Sequence, residues 1–203
     1  MKNKKLLIGC GAAAGVVILF ALIMYFWISG TYNSMVTLNL DVQNAWSQVE
    51  NQYQRRYDLI PNLVNTVKGV ANFEKETYTA VTEARSRVGQ INVTPELINN
   101  PAALQQFQLA QDNLGGALSR LLVTVEKYPE LKANENFLQL QAQLEGTENR
   151  IAVERRNFNN KVTEYNKTIS VFPGKILADF FGFTIKENFK AVEGAETAPK
   201  VEF

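Results

Sequence analysis

The chain has 203 residues, with 21 Lys and Arg against 20 Asp and Glu, one Cys and no His, for a formal net charge of +1. Without His there can be no Ser-His-Asp triad, no Cys-His pair and no Glu-x-x-His ligand of a di-iron bundle; Ser-Lys and paired-carboxylate hydrolases remain open. A single Cys allows no internal disulfide, and setting Lys2, Lys4 and Lys5 aside leaves 18 basic against 20 acidic groups, which offers nucleic acid no basic footprint.

Residues Leu6 to Ile28, LLIGCGAAAGVVILFALIMYFWI, carry no charge. As a helix rising ~1.5 Å per residue this run is ~34 Å long, enough to cross a hydrocarbon core of ~30 Å. Lys2, Lys4 and Lys5 precede it, while no charge follows until Asp41 and no basic residue until Arg55. Positive flanks stay on the cytoplasmic side, so the N-terminus is expected inside and residues 30–203 outside. Tyr25, Trp27 and Tyr32 fall near the outer end, where amphipathic rings prefer the interface. A cleaved signal would have a shorter core and a small-residue cleavage site; this run ends in bulky Tyr25, Phe26 and Trp27, which favours an uncleaved signal-anchor. Leu7-Ile8-Gly9-Cys10 has the look of a lipobox, but only four apolar residues precede Cys10 and the run continues well past it; Cys10 reads as a small apolar helix residue. Gly11 and Gly15 form G-x-x-x-G, a small face through which two such helices can self-associate.

From Tyr32 apolar residues recur at helical spacing as Met35, Leu38, Val42, Ala45 and Val49. Pro61 then interrupts RRYDLIPNL and disfavours helical geometry at Ile60, so either one long helix kinks there or two helices meet there. The stripe resumes as Leu63, Val67, Val70, Val81, Ala84 and Val88, and Gly89 ends it. Asn100-Pro101 reads as an N-cap followed by a first helical residue, ahead of Leu104, Phe107, Leu114, Leu118, Leu121 and Val125. Pro129 marks a further boundary before Phe137, Leu144, Ile151, Phe158, Val162, Tyr165 and Ile169. A split near 58–61 yields helices near 31–57, 59–88, 101–127 and 130–169, the first three matched in length. The expected fold is all-α: a single transmembrane helix, then an antiparallel up-and-down four-helix bundle with long helices, then an irregular aromatic C-terminal segment. The expected divisions are a cytoplasmic stretch 1–5, a transmembrane helix 6–29, a bundle 30–170, an aromatic capping or membrane-surface segment 171–189 and a flexible tail 190–203.

Polar residues occupy the expected seam. Arg56 follows Val42 and Val49 at seven-residue spacing, and Glu74, Gln111 and Glu148 fall at similar height in an up-down register. A polar layer with an Arg such as Arg155 neutralising a Glu is the expected arrangement, since buried charges are costly unless paired. A carboxylate cation site is the alternative. Arg55-Arg56 and Arg155-Arg156 read as surface charges or partners of nearby Glu, with phosphate binding as the alternative. Gly115-Gly116 and Gly146 interrupt helices at a cost of about 1 kcal/mol each relative to Ala, which close backbone packing would offset.

The stretches AWSQVENQYQRRYDLIPNLVNTVKG (45–69), FEKET (73–77), VTEAR (81–85), EKYPELKANENFLQLQAQLEGTENRIAVERRNFN (126–159), FPGKILADFFGF (172–183) and the closing PKVEF resemble the LemA family. The resemblance covers nearly all of 31–203 and extends to the hydrophobic N-terminal segment. It implies a membrane-anchored helical bundle of bacteria with no established enzymatic activity and no agreed catalytic residues, and some relatives are associated with internal membrane compartments. One departure is Phe73, where many relatives carry His, so no His-dependent role is expected there.

The segment 171–189 holds Phe172, Phe180, Phe181, Phe183 and Phe189, set off by Pro173-Gly174. It either caps the bundle or lies on the membrane surface through Phe180, Phe181 and Phe183, with Lys175 and Lys186 at headgroups and their charge cancelled by Asp179 and Glu187. With four helices, the fourth returns to the membrane-facing end and delivers this segment there. Val201, Glu202 and Phe203 form a hydrophobic-x-hydrophobic ending that suits capture by a partner. The expected role is a non-enzymatic, membrane-tethered scaffold of the bacterial cell envelope, single-pass in the inner membrane and homo-oligomeric. It would contact the lipid bilayer and an envelope protein, with no cofactor, no metal and no nucleic acid. An adaptor presenting its tail to a protease or chaperone, or an envelope enzyme using carboxylates or a cation, are the alternatives.

Overall fold

The computed structural model describes residues 2–70, 73–91 and 94–190, and their side chains from residue 14 onward except at 95 and 96. The elements are α1 (Lys2–Lys68), α2 (Lys75–Gly89), a 3₁₀ turn (Pro95–Asn99), α3 (Pro101–Val125), a short α4 (Pro129–Lys132), α5 (Glu135–Ser170) and α6 (Gly174–Phe181). Among the described residues there is no strand, so the fold is all-α.

Local chemistry sets most boundaries. Asn100 caps α3, its Oδ1 accepting from the N–H groups of Ala102 and Ala103 at 3.1 and 3.2 Å, with Pro101 in the first turn where no donor is missed. Asn134 does the same for α5, accepting from the Phe137 N–H at 3.1 Å. Pro129 opens α4. Gly182 ends α6 with φ +77°, a left-handed conformation that costs glycine little.

Pro61 does not separate two helices: it lies inside α1, which runs on to Lys68, and the connection falls at 69–74. Proline in a helix interior leaves the carbonyl four residues earlier without its donor. Here that carbonyl belongs to Tyr57, and the Arg85 Nε of α2 donates to it at 3.1 Å. The Arg85 guanidinium also stacks on the Tyr57 ring, 3.7 Å from its centroid. The neighbouring helix thus supplies the hydrogen bond that proline removes. Gly30 likewise lies within α1, with open space where a Cβ would stand.

The residues group into two compact units, 2–41 with 164–185 and 42–163 with 186–190, so α1 and α5 contribute to both. In the larger unit, Trp46–Phe158 and Arg56–Glu148 pair α1 with α5 in antiparallel sense. Tyr57–Arg85 and Lys68–Tyr78 pair α1 with α2 likewise. Trp46 and Tyr53 on Phe107, and Arg56 on Gln111, set α3 parallel to α1. Four helical segments therefore alternate in direction, counted through the connection at 69–74.

One part of this unit's core is aliphatic, with Ile60, Leu63, Val67, Val81, Leu114, Leu121 and Leu144 buried together. Another part is aromatic: Trp46 meets Phe107, Phe158 and Phe189 at centroid distances of 5.9, 5.5 and 5.9 Å. Fully burying each large side chain contributes about 1.5–3 kcal/mol, so these stripes supply most of the drive to fold.

The smaller unit buries Met35, Tyr165, Ile169, Leu177 and Ala178. Gly174 is required at the start of α6, because a Cβ there would stand 2.7 Å from the Thr168 carbonyl oxygen and 3.3 Å from Met35 Cε. The Tyr165 hydroxyl donates to the Thr184 carbonyl at 3.1 Å, and burial raises its pKa above 10.0.

Candidate functional site

In the smaller unit, α1 is the one described helix long and apolar enough to cross a membrane, with mean hydropathy 2.0 over its best window and none of that window buried by protein. Just past this run, Tyr32 meets Phe181 at 4.8 Å and Phe183 at 5.9 Å between ring centroids. These contacts hold α6 against α1. Gly174, Leu177 and Ala178 face protein, whereas Ile176 and Phe180 face outward, with Phe172 also exposed. Phe180 is 80% exposed and Phe172 78%, against 44% for Phe181. The α6 charges close on themselves, Lys175 Nζ lying 3.1 Å from both carboxylate oxygens of Asp179. The outward surface is therefore apolar and carries no net charge.

Phe189 and Lys186 are not part of this surface. Phe189 fills the aromatic core of the larger unit between Trp46 and Phe158, with the Arg155 guanidinium 4.5 Å from its ring centroid. Lys186 is buried and donates to Asn99 Oδ1 at 3.0 Å; burial lowers its pKa below 10.5. The expected aromatic segment thus divides, Phe172 to Phe183 in one unit and Phe189 in the other. Residues 186–190 form a strap with no helix or strand. Asn159 Oδ1 accepts from the Phe189 N–H at 2.9 Å while its Nδ2 donates to the Phe189 carbonyl at 3.0 Å. Gln108 treats Lys190 in the same way, at 3.3 and 2.7 Å. Nothing in the local pattern of 186–190 signals this clamp, since both amides lie far away in the chain.

The polar seam of the larger unit is built on Arg56. Its Nη1 donates to Glu148 Oε2 at 2.7 Å, and its Nη2 to the Gln111 carbonyl at 3.2 Å and to Gln111 Oε1. The Arg56 Nε is buried with no acceptor among the described residues. Glu74 does not join this layer. It sits at the start of α2 and pairs with Lys127 at 3.1 Å in an exposed bridge, because the chain turns at 69–74 rather than near Pro61. Arg155, engaged on Phe189 and the Lys190 carbonyl, is not the partner of a seam Glu. Tyr53 lies beside Arg56, 5.2 Å from guanidinium carbon to ring centroid. Burial raises its pKa above 10.0, against the opposing pull of Arg155 and Arg56. Two clefts flank this region: one of about 280 Å³ lined by Glu50, Tyr53, Tyr57, Gly89 and Gln111, the other of about 270 Å³ against Arg56, Gly115 and Glu148.

Gly11 lies in the helical part of α1 and its surroundings are outside the described side chains, while Gly15 has nothing within 4 Å of a built Cβ. Val201, Glu202 and Phe203 lie outside the described residues. Among the described residues no group of three or more Cys, Asp or Glu is placed to hold a metal ion.

The family model that matches this sequence is that of the LemA family, over residues 45–203. The chain belongs to the LemA family. It is 31% identical over 150 residues to Protein LemA of Metamycoplasma hominis, covering 74% of this chain and 64% of that protein. It is 29% identical over 182 residues to Magnetosome protein MamQ of Magnetospirillum gryphiswaldense, covering 82% of this chain and 67% of that one. Magnetosome protein MamQ 2 of Paramagnetospirillum magneticum is 28% identical over the same length. The chain thus spans less than two thirds of the first of these curated LemA-family relatives and about two thirds of the other two. The matched region takes in both halves of the Pro61–Arg85 arrangement, the Arg56 centre and α6.

Proposed function

We propose that this chain is a membrane-tethered, non-enzymatic scaffold of the bacterial cell envelope that docks α6 on the same bilayer its N-terminal helix crosses. The observation that carries the reading is the Tyr32–Phe181–Phe183 contact. It sets α6 just beyond the apolar run and leaves Phe172, Ile176 and Phe180 turned away from protein. Large exposed apolar groups gathered on one short segment mark an interaction or membrane surface. With the Lys175–Asp179 charges cancelled, attachment rests on apolar insertion and resists salt. Lys2, Lys4 and Lys5 favour an N-terminus in the cytoplasm and a bundle outside the inner membrane. Self-association through Gly11 and Gly15 belongs to the same reading. The family match supports a role without catalysis, as does a chain lacking His.

The test uses the full chain in lipid vesicles, with Cys10→Ser and Phe180→Cys carrying a solvent-sensitive dye. Emission shifted to the blue, quenched by bromines placed high on the acyl chains and unchanged in strong salt, is expected. A dye at position 180 as wet as the same dye in buffer would sink the reading.

A further inference from the structure

Gly115 and Gly116 stand in the middle of α3, each at a helix-propensity cost of about 1 kcal/mol. Close backbone packing does not explain them. The nearest atom to a Cβ at Gly115 would be Arg56 Nη1, at 3.9 Å, and Gly116 and Gly146 have nothing within 4 Å. What Gly115 does is leave open the cleft of about 270 Å³ between α3 and α5. Leu118, Leu122 and Leu144 form its apolar walls, and the Arg56 guanidinium its floor.

The charge pair on that floor is lopsided. The Arg56 side chain is 3% exposed, whereas that of Glu148 is 56% exposed. A guanidinium has five donor hydrogens and cannot shed its charge. Three acceptor contacts are made and the buried Nε has none, so the cation is under-satisfied. Arg56 cannot leave, whereas Glu148 is already half in water and can be displaced so long as the cation is not left unpaired. Another carboxylate could take its place, and if it carried an apolar body it would also cover the leucines, which Glu148 does not.

We propose that this cleft is a binding site for a small amphipathic carboxylate, its head on Arg56 in place of Glu148 and its aliphatic part along Leu118, Leu122 and Leu144. Ser119 at the rim offers a hydroxyl to the same head. The exchange is non-covalent: one carboxylate replaces another on a fixed guanidinium, and net charge in the cleft is conserved.

The test follows the thermal unfolding of the full chain in lipid nanodiscs by circular dichroism, with sodium octanoate as probe and octanol and octylamine as controls. Wild type should show a saturable rise in midpoint of about 2–4 °C with octanoate alone. Glu148→Gln removes the competitor while leaving Arg56 in place. Its midpoint should start lower and be restored by octanoate, with half-saturation at roughly tenfold lower concentration. Gly115→Leu fills the cleft while keeping both Arg56 and Glu148 in the chain, so it should abolish the response; Ser119→Phe, at an exposed rim position away from the Arg56 Nη1 contact, checks this where Gly115→Leu does not fold or disturbs the pair. No shift with octanoate, an equal shift with octanol, or an undiminished shift in the filled-cleft variant would each overturn the site.

Discussion

Trp46 and Phe180 are both large, apolar and helical, and they meet opposite surroundings. Trp46 is 1% exposed, ringed by Phe107, Phe158 and Phe189; Phe180 is 80% exposed. The same contrast separates the two units. In residues 42–163 with 186–190 the stripes turn inward, and Leu109, Val123, Leu138 and Val153 are exposed among polar side chains. In residues 2–41 with 164–185 the apolar run of α1 and the outer face of α6 turn outward. On the proposed reading, the second unit is built for a different solvent.

The contrast breaks first in a stability experiment. Trp46→Ala should cost about 3–5 kcal/mol, whereas Phe180→Ser, with nothing of the bundle resting on it, should change stability by less than about 0.5 kcal/mol. Denaturant unfolding of both variants, followed by helical circular dichroism, checks this; comparable losses would mean that the α6 face is covered by protein. The Arg56 pair gives the next largest effect. Glu148→Ala leaves a buried cation unpaired and should cost on the order of 2 kcal/mol, below the usual figure for fully buried pairs because Glu148 is half in water. Arg56→Met should cost less, since Glu148 then turns to solvent and the loss is that of the neutral Gln111 acceptor rather than of a buried charge's partner; the reverse order would show that Arg56 is not held by burial.

Arg85→Leu should cost about 1–2 kcal/mol by orphaning the Tyr57 carbonyl. Pro61→Ala, which restores the helical donor, should recover much of that loss, and a double-mutant cycle without coupling would dismiss the exchange of donors. The smallest effect is with pH. Tyr53 and Tyr165 have folded pKa values above 10.0, so the unfolded chain loses their protons first; their contribution is intact below pH 10 and lost as pH rises through the folded values. Lys186, with its pKa lowered, works the other way, gaining stability as pH rises toward 10.5. Tyr165→Phe should flatten the fall measured between pH 9 and 11, and an unchanged slope would remove Tyr165 from the account.

Much of this was legible in the sequence. The apolar run, the Asn100 cap, the Pro129 boundary and the buried stripes follow from periodicity and local chemistry. Even the passage of α1 through Pro61 had a trace, since Val42, Val49, Arg56 and Leu63 keep one seven-residue register across it and all are buried. What outweighed that trace was the matched length of the helices a split would give, together with the local penalty of proline, whose remedy lies on α2, at Arg85, where no window around Pro61 can see it. The misplaced turn then carried Glu74 into a polar layer it does not share. Phe189 was grouped with Phe180 for a similar reason. Composition treats the two rings alike, and only Trp46 and Phe158, distant in the chain, tell them apart. Which of the expected seam charges would be buried was likewise out of reach, because helix rotation at Arg56 depends on packing against α3 and α5 together.

The strap at 186–190 carries a consequence for how the chain can vary. Asn159 and Gln108 grip the N–H and C=O of Phe189 and Lys190, groups every residue but proline possesses. The side chains of Asn188 and Lys190 point to solvent and take no part. Drift at positions 188 and 190 is therefore nearly free, while the two amides, which look like unremarkable surface polar residues on α3 and α5, are not. In hydrogen–deuterium exchange the same grip would show as slow amides at 189 and 190 in a stretch with no helix or strand, the signature of a segment that is irregular in shape and yet firmly held.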